Sequence, residues 1–334
     1  MSSNEKKGNA FTNNPIVKAV GTQKIVVVLV LIVLFTVFCI MSSAFRSYST
    51  ILSIFDYSYY ITFMAIGVTF CLITGGVDLS IGTGMVCYGL IGGYFITQKG
   101  MPVVVGILIT MVVAILFGTI NGILVAVFNL PPFIATLGTM MVVRGLGSIM
   151  TGGISITWPS TGTAQGWFRS IFKVDFGATK FPIGFVWVLI LVVLMSIVLN
   201  KTKTGRYIIA IGSNKEATRL SGVNVVKYLI LAYVISGVFT GLAAIAYAGT
   251  FQAIAPGTGA GLELDAIGGA IIGGTSMTGG AGSIVGTLLG VFIMSMLKTG
   301  LPFIGLQANW QQIITGLVLI FAVVIDVMKN RRIA

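Results

Sequence analysis

"PVVVGILITMVVAILFGTINGILVAV", residues 102–127, contains no charged side chain and a single amide, Asn121. A helix needs about 20 predominantly apolar residues to cross the hydrocarbon of a bilayer, and this run exceeds that length. The rest of the chain agrees with it. Of 334 residues, 56% are hydrophobic and 8% are charged, whereas soluble domains carry roughly 25% charge. The chain therefore belongs in a membrane.

Working outward, similar runs lie near 25–41, 57–74, 80–97, 132–151, 182–200, 228–249, 263–277, 281–298 and 309–328. Together they predict an all-α polytopic membrane protein of about ten transmembrane helices, some of them short or glycine-broken. Thirteen of the 20 basic residues fall in three places. Lys6, Lys7, Lys18 and Lys24 precede the first run; Lys201, Lys203, Arg206, Lys215, Arg219 and Lys227 lie in the 200–227 loop; Lys329, Arg331 and Arg332 follow the last. Basic loops stay cytoplasmic, and six spans before the central loop and four after it satisfy the required parity. The expected organisation is a cytoplasmic tail (1–24), one transmembrane domain (25–328) with both termini cytoplasmic, and a second tail (329–334).

This orientation places the 152–181 loop outside, with Trp158, Pro159, Trp167 and Arg169. Its aromatics either lie at the membrane interface or contact a partner. The first run, 17 residues long and apolar but for Thr36, exceeds a signal-peptide core and reads as a retained helix.

Several chemistries are excluded. There is no histidine, and Cys39, Cys71 and Cys87 sit in apolar runs without CxxC spacing, so no metal site, histidine-based triad or disulfide framework is expected. No GxxxxGK[ST] loop is present to cradle a nucleotide, and no cofactor is expected on this chain. The net charge of +12 is spread between apolar runs rather than on a basic face, which argues against nucleic acid. An enzyme in the ordinary sense is not expected; ten spans with polar breaks point to moving a solute.

The 44 glycines cluster in "ITGGVDLSIGTGM" (73–85) and "IGGAIIGGTSMTGGAGSIVGTLLG" (267–290). Gly82, Gly89 and Gly93, and again Gly282, Gly286 and Gly290, recur at spacings that let helices approach closely in lipid. Alternatively the breaks line a water-filled path. Each tract has the order apolar run, polar break, small-residue helix, as in internally repeated transporters. Intramembrane charge is scarce: Asp78, Arg144, Glu263 and Asp265. Asp78 and Asp265 read first as helix N-caps, while Arg144 must pair, snorkel or face water. The candidate path residues are Asp78, Asn121, Thr136, Arg144, Asp265 and Thr275.

One polar segment interrupts the pattern: "GSNKEATRLSGVNV", residues 212–225. Ser213 and Glu216 have the spacing of a capping box, and Gly222 suits the position just past a helix end. They predict a helix of about eight residues, far too short to span. Ala217 and Leu220 share one face, whereas Lys215 and Arg219 repel mildly on another. So short a helix is marginal in water; it either lies on the membrane surface or docks on a partner.

Five stretches in order resemble the membrane permease subunits of ATP-binding-cassette importers for simple sugars. They are "LITGGVDLSIGT" (72–83), "INGILVAVFNLPPFIATLGTMMVVRGL" (120–146), "TGRYIIAIGSNKEATRLSGVNV" (204–225), "LELDAIGGAIIGGTSMTGGAGSIVGTLLG" (262–290) and "WQQIITGLVLIFAVVIDVMKNRR" (310–332). The resemblance implies a bacterial inner-membrane protein, a second copy of the same chain and a cytoplasmic ATPase that carries ATP and Mg. It also implies a periplasmic or lipid-anchored sugar-binding protein outside. In this family a cytoplasmic coupling helix seats in the ATPase. By position it corresponds to Asn214–Ser221, with Ser213, Asn214, Lys215, Glu216, Ala217, Arg219, Leu220 and Gly222 as the coupling residues. The competing reading is an ion-coupled secondary transporter of a small polar solute, acting through Asp78, Asp265 or Arg144.

Overall fold

The computed structural model describes residues 22–176 and 179–331. Most of the first expected tail and residues 332–334 of the second, including Lys6, Lys7, Lys18 and Arg332, lie outside the described residues. Each of the ten apolar runs forms a helix: α1 (Thr22–Met41), α2 (Tyr48–Ile73), α3 (Ile81–Thr97), α4 (Val103–Ala126), α5 (Pro132–Thr151) and, after a short antiparallel hairpin of β1 (Val174–Phe176) and β2 (Thr179–Phe181), α6 (Gly184–Lys201). Two short helices follow, α7 (Lys203–Ser213) and α8 (Lys215–Leu220), and then α9 (Val225–Thr250), α10 (Leu262–Ile272), α11 (Ile284–Gly300) and α12 (Ala308–Arg331).

Among the described residues, eight helices are long and apolar enough to cross a membrane, and the 17-residue α3 is a shorter apolar helix. This agrees with an all-helical membrane protein of about ten helices, some of them short or glycine-broken: eight or nine are candidate spans. The shortest of the ten is α10, whose 11 residues cover only about 16 Å at 1.5 Å per residue. Glycines stop it on both sides: Gly261 is its N-cap with φ +91°, and Gly273 and Gly274 end it.

Polar side chains start the helices where the apolar runs begin. Ser47, Asn224 and Ser283 accept from the backbone N–H three residues on, at the N-termini of α2, α9 and α11, which satisfies amides that otherwise lack partners. The 26-residue α9 packs against both α4 and α2, while α10 and α11 pair with each other and with α2. Tyr59, Tyr60, Met64, Phe70, Leu90 and Ala243 are among the buried side chains of this core. A smaller cluster of Phe38, Phe45 and Leu301 fastens α1.

The glycines act as the close-packing reading expects. A Cβ at Gly286 would collide with the Gly273 carbonyl, and one at Gly290 with the Gly269 carbonyl, so α10 and α11 touch backbone to backbone. Both glycine tracts also show the expected order of helix, break and helix, with breaks at 74–80 and 273–283.

The 152–181 loop is more built-in than its composition suggests. Trp158 is fully buried, and its Nε1 donates to the Gly89 carbonyl at 3.0 Å; it is not an interfacial aromatic, whereas Trp167 is 49% exposed. The Arg169 guanidinium donates to the carbonyls of Pro159, Trp158 and Phe251 at 2.8, 3.1 and 3.0 Å. Burial lowers its pKa from the usual arginine range. Arg169 thereby pins the loop to the end of α9.

Candidate functional site

Two places concentrate polar chemistry: a buried knot at the first glycine break, and the short helices between α6 and α9. In the knot, Asp78 is 2% exposed. Its Oδ1 accepts from the Ser80 amide at 3.0 Å and the Ser80 hydroxyl at 2.6 Å, and its Oδ2 from the Ser236 hydroxyl of α9 at 2.8 Å. Asn121 of α4 donates to Ser80 Oγ at 2.9 Å, and its own carbonyl accepts from Thr139 of α5 at 2.7 Å. Thr136, one turn earlier on α5, reaches the Val77 carbonyl at 3.4 Å. The break itself, α9 and α4 thus meet on one carboxylate, with Asn121 Nδ2 also 3.4 Å from Asp78 Oδ1, and α5 joins through Asn121. Buried polar groups of this kind are tolerated because each has partners.

The N-cap reading of Asp78 is therefore corrected. Ser80 occupies the N-cap position of α3, and Asp78 makes an Asx-type turn two residues before it. Asp265 is not a cap either: it is the fourth residue of α10, and its Oδ2 pairs with Lys298 Nζ of α11 at 2.5 Å. Gly261 holds the N-cap position, and Glu263, the second residue of α10, accepts from its amide at 3.1 Å. A carboxylate at intramembrane depth needs such partners, and Lys298 supplies the charge for Asp265.

The six predicted path residues divide accordingly. Asp78, Asn121 and Thr136 gather in the knot; Asp265 lies apart in its ion pair; Thr275 is buried in the second break, beside Gly282. Arg144 is exposed on α5 and borders a shallow pocket with Thr83, Cys87, Pro256 and Gly257. Ser80, Thr139, Ser236 and Lys298 were not singled out by sequence. Only Ser80 carried a local signal, its place two residues after an aspartate; the others come from distant helices.

The second place is the polar segment. Here α8 has six residues rather than eight, and its N-cap is Asn214, whose Oδ1 accepts from the Ala217 amide at 2.8 Å. The Ser213–Glu216 capping box does not form, because Ser213 closes α7 and donates to the Ile209 carbonyl. Glu216 instead pairs with Arg219, Oε1 to Nη2 at 2.5 Å, and that hydrogen bond raises the Arg219 pKa above its ordinary range. The repulsion expected between Lys215 and Arg219 is thus relieved within the helix itself. Gly222 does end it: φ is +80°, its amide donates to the Arg219 carbonyl, and Val223 donates to Thr218, the paired bonds of a Schellman turn. Thr218 is buried, whereas Lys215, Glu216, Ala217 and Arg219 are exposed and Leu220 is 79% exposed. The helix presents most of itself outward.

Comparison with known proteins completes the picture. A family described as "Branched-chain amino acid transport system / permease component" matches residues 50–323. The chain is 34% identical over 317 residues to a galactose/methyl galactoside import permease of Escherichia coli (strain K12), covering 91% of this chain and 94% of that protein. It is 33% identical over 306 residues to a ribose import permease of the same organism, covering 90% and 92%. A fructose import permease of Rhizobium meliloti is 36% identical over 260 residues, covering 77% and 72%. The permeases of this family work with an ATPase and a binding protein as partners. With eight long apolar helices and a match over most of its length, the chain belongs to this permease-component family and is a multi-pass membrane subunit of an ATP-binding-cassette importer.

Proposed function

We propose that this chain is the translocating subunit of an importer for a simple sugar of the galactose, ribose or fructose type, working as a pair with a second copy of itself. ATP and Mg act on a separate cytoplasmic subunit, and the sugar arrives from an extracytoplasmic binding protein. The family description names branched-chain amino acids, but the relatives that cover nearly all of this chain are sugar permeases.

The observation that carries the coupling assignment is α8. It is capped at both ends, separate from the spans, and turns Lys215, Glu216, Ala217, Arg219 and Leu220 outward. An isolated six-residue helix has no stability of its own in water, so such precise capping with so little burial fits a surface kept ready for a partner. The 200–227 loop that holds it is the cytoplasmic loop of the transmembrane domain, and the 152–181 loop faces the binding protein.

Arg144 supports the placement of the path. It is the thirteenth residue of the 20-residue α5, about 18 Å from the helix start. An exposed guanidinium at that depth cannot rest against lipid tails without large cost, so this face turns toward the second copy and the water between them. The Asp78 knot, whose acceptors are occupied by hydroxyls and amides, is the lock behind that wall rather than an ion carrier.

Vesicles containing the chain, the cognate ATPase and the cognate binding protein should take up labelled galactose, ribose or fructose only with ATP on the ATPase side. Uptake driven by a proton or sodium gradient in vesicles without the ATPase would overturn this reading in favour of ion-coupled transport.

A further inference from the structure

The end of α7 touches both glycine breaks at once. Gly212 lies so close to the last residue of α2 that a Cβ there would collide with the Ile73 carbonyl and stand 2.5 Å from the Gly280 nitrogen. The Ile73 carbonyl, which has no partner within its own helix, accepts from the Gly280 amide at 2.8 Å. A Cβ at Gly279 would come within 2.8 Å of the Gly212 carbonyl and 2.9 Å of the Gly75 nitrogen, and one at Gly280 within 2.6 Å of Ser213 Oγ. Gly279 and Gly280 both have positive φ, +90° and +76°. Three segments remote in sequence therefore meet backbone to backbone, with the Ser213 hydroxyl beside Gly280.

Each segment leads to a different part of the molecule. Two residues beyond Gly212, Asn214 caps α8. Five residues beyond Ile73 lies Asp78 and its knot. Four residues before Gly280, Ser276 donates to Asp326 of α12 at 3.0 Å. Backbone packed on backbone has no rotamer with which to absorb displacement, so a shift of the α7–α8 corner must be passed on to both breaks.

We propose that Gly212 is the transmission joint of the importer: seating of α8 on the ATPase moves the 74–80 and 273–283 breaks together through the Gly212–Ile73–Gly280 contact. This rests on the reading of α8 as the docking helix and adds the route by which docking reaches the path.

Hydrogen exchange of the reconstituted permease–ATPase complex, with and without Mg-ATP, tests the joint in the unmodified chain, as coupling has to be measured rather than read from proximity. Peptides covering 203–221, 70–80 and 273–283 should change protection together, while 152–173 stays unchanged. A change confined to 203–221 would overturn the joint while leaving docking intact. No protection of 215–220 by the ATPase would sink the docking reading, and the joint with it. A second measurement uses Gly212→Ala, which should hold the ATPase in equal amount on co-purification yet lower sugar uptake at least tenfold. Uptake by that variant within twofold of the unmodified protein would overturn the proposal.

Discussion

The Ser236 hydroxyl donates to Asp78 Oδ2 at 2.8 Å across 158 residues of chain, tying the middle of α9 to the first glycine break. Asp78→Ala would strand the Ser80 hydroxyl and amide together with Ser236 in a site that excludes water. Each stranded buried group costs about 1–3 kcal/mol. The variant should melt well below the unmodified protein in detergent, and Ser236→Ala should lower the midpoint by a smaller step. Equal midpoints for Asp78→Ala and the unmodified protein would show that the knot does not hold the break.

Glu216→Lys and Ala217→Asp alter the outward face of α8 at positions that are exposed. Both variants should reach the membrane in normal amount and lose uptake by at least tenfold. Immunoblots of membranes alongside uptake assays would check this, and normal uptake by either variant would show that α8 does not couple.

The caps of α8 give a sharper comparison. Asn214→Ala removes the acceptor for the Ala217 amide, a loss of about 1 kcal/mol for an N-cap, and Gly222→Ala forces a side chain into a left-handed residue at about 1–2 kcal/mol. Either should speed amide exchange in 215–220 several-fold. Ser213→Ala should leave those amides unchanged, because its hydroxyl bonds to α7.

Arg169→Ala would leave the carbonyls of Pro159, Trp158 and Phe251 without their donor. Hydrogen bonds to a charged group contribute about 1.5–3 kcal/mol each, so the 152–181 loop should come loose. Limited proteolysis should then cut within 152–173 at least tenfold faster. Lysine at this position should not restore protection, since it lacks the planar fork that reaches several carbonyls.

Arg144→Ala should leave the melting temperature within a few degrees, as the side chain is exposed, while uptake falls at least tenfold. A large fall in melting temperature with unchanged uptake per folded molecule would place Arg144 in a structural contact instead.

Length and apolarity made the ten helical runs readable because a bilayer imposes one requirement on every span. The glycine-rich eighth run was read as one of the short or broken ones, and α10 is that short helix, ended by glycines whose backbone angles a hydropathy reading does not sense. Gly222 was legible, since its role is local. Asn214 and Ser213 are both good N-caps, so one residue of register decided between them, and the preceding helix α7 set that register. The Asp78 knot and the Arg169 clamp depend on Ser236, Asn121 and distant carbonyls, and no spacing along the chain foretells which helices become neighbours.

The seam where Gly286 and Gly290 lie against the carbonyls of Gly273 and Gly269 has a consequence for how this chain can drift over generations. At most positions a membrane helix accepts any apolar side chain, and neutral change is cheap. At this seam even one methyl group pries two helices apart, and no single compensating exchange can restore contact when both sides are already backbone. The stretch that looks chemically plainest should therefore be where the chain is least free to vary.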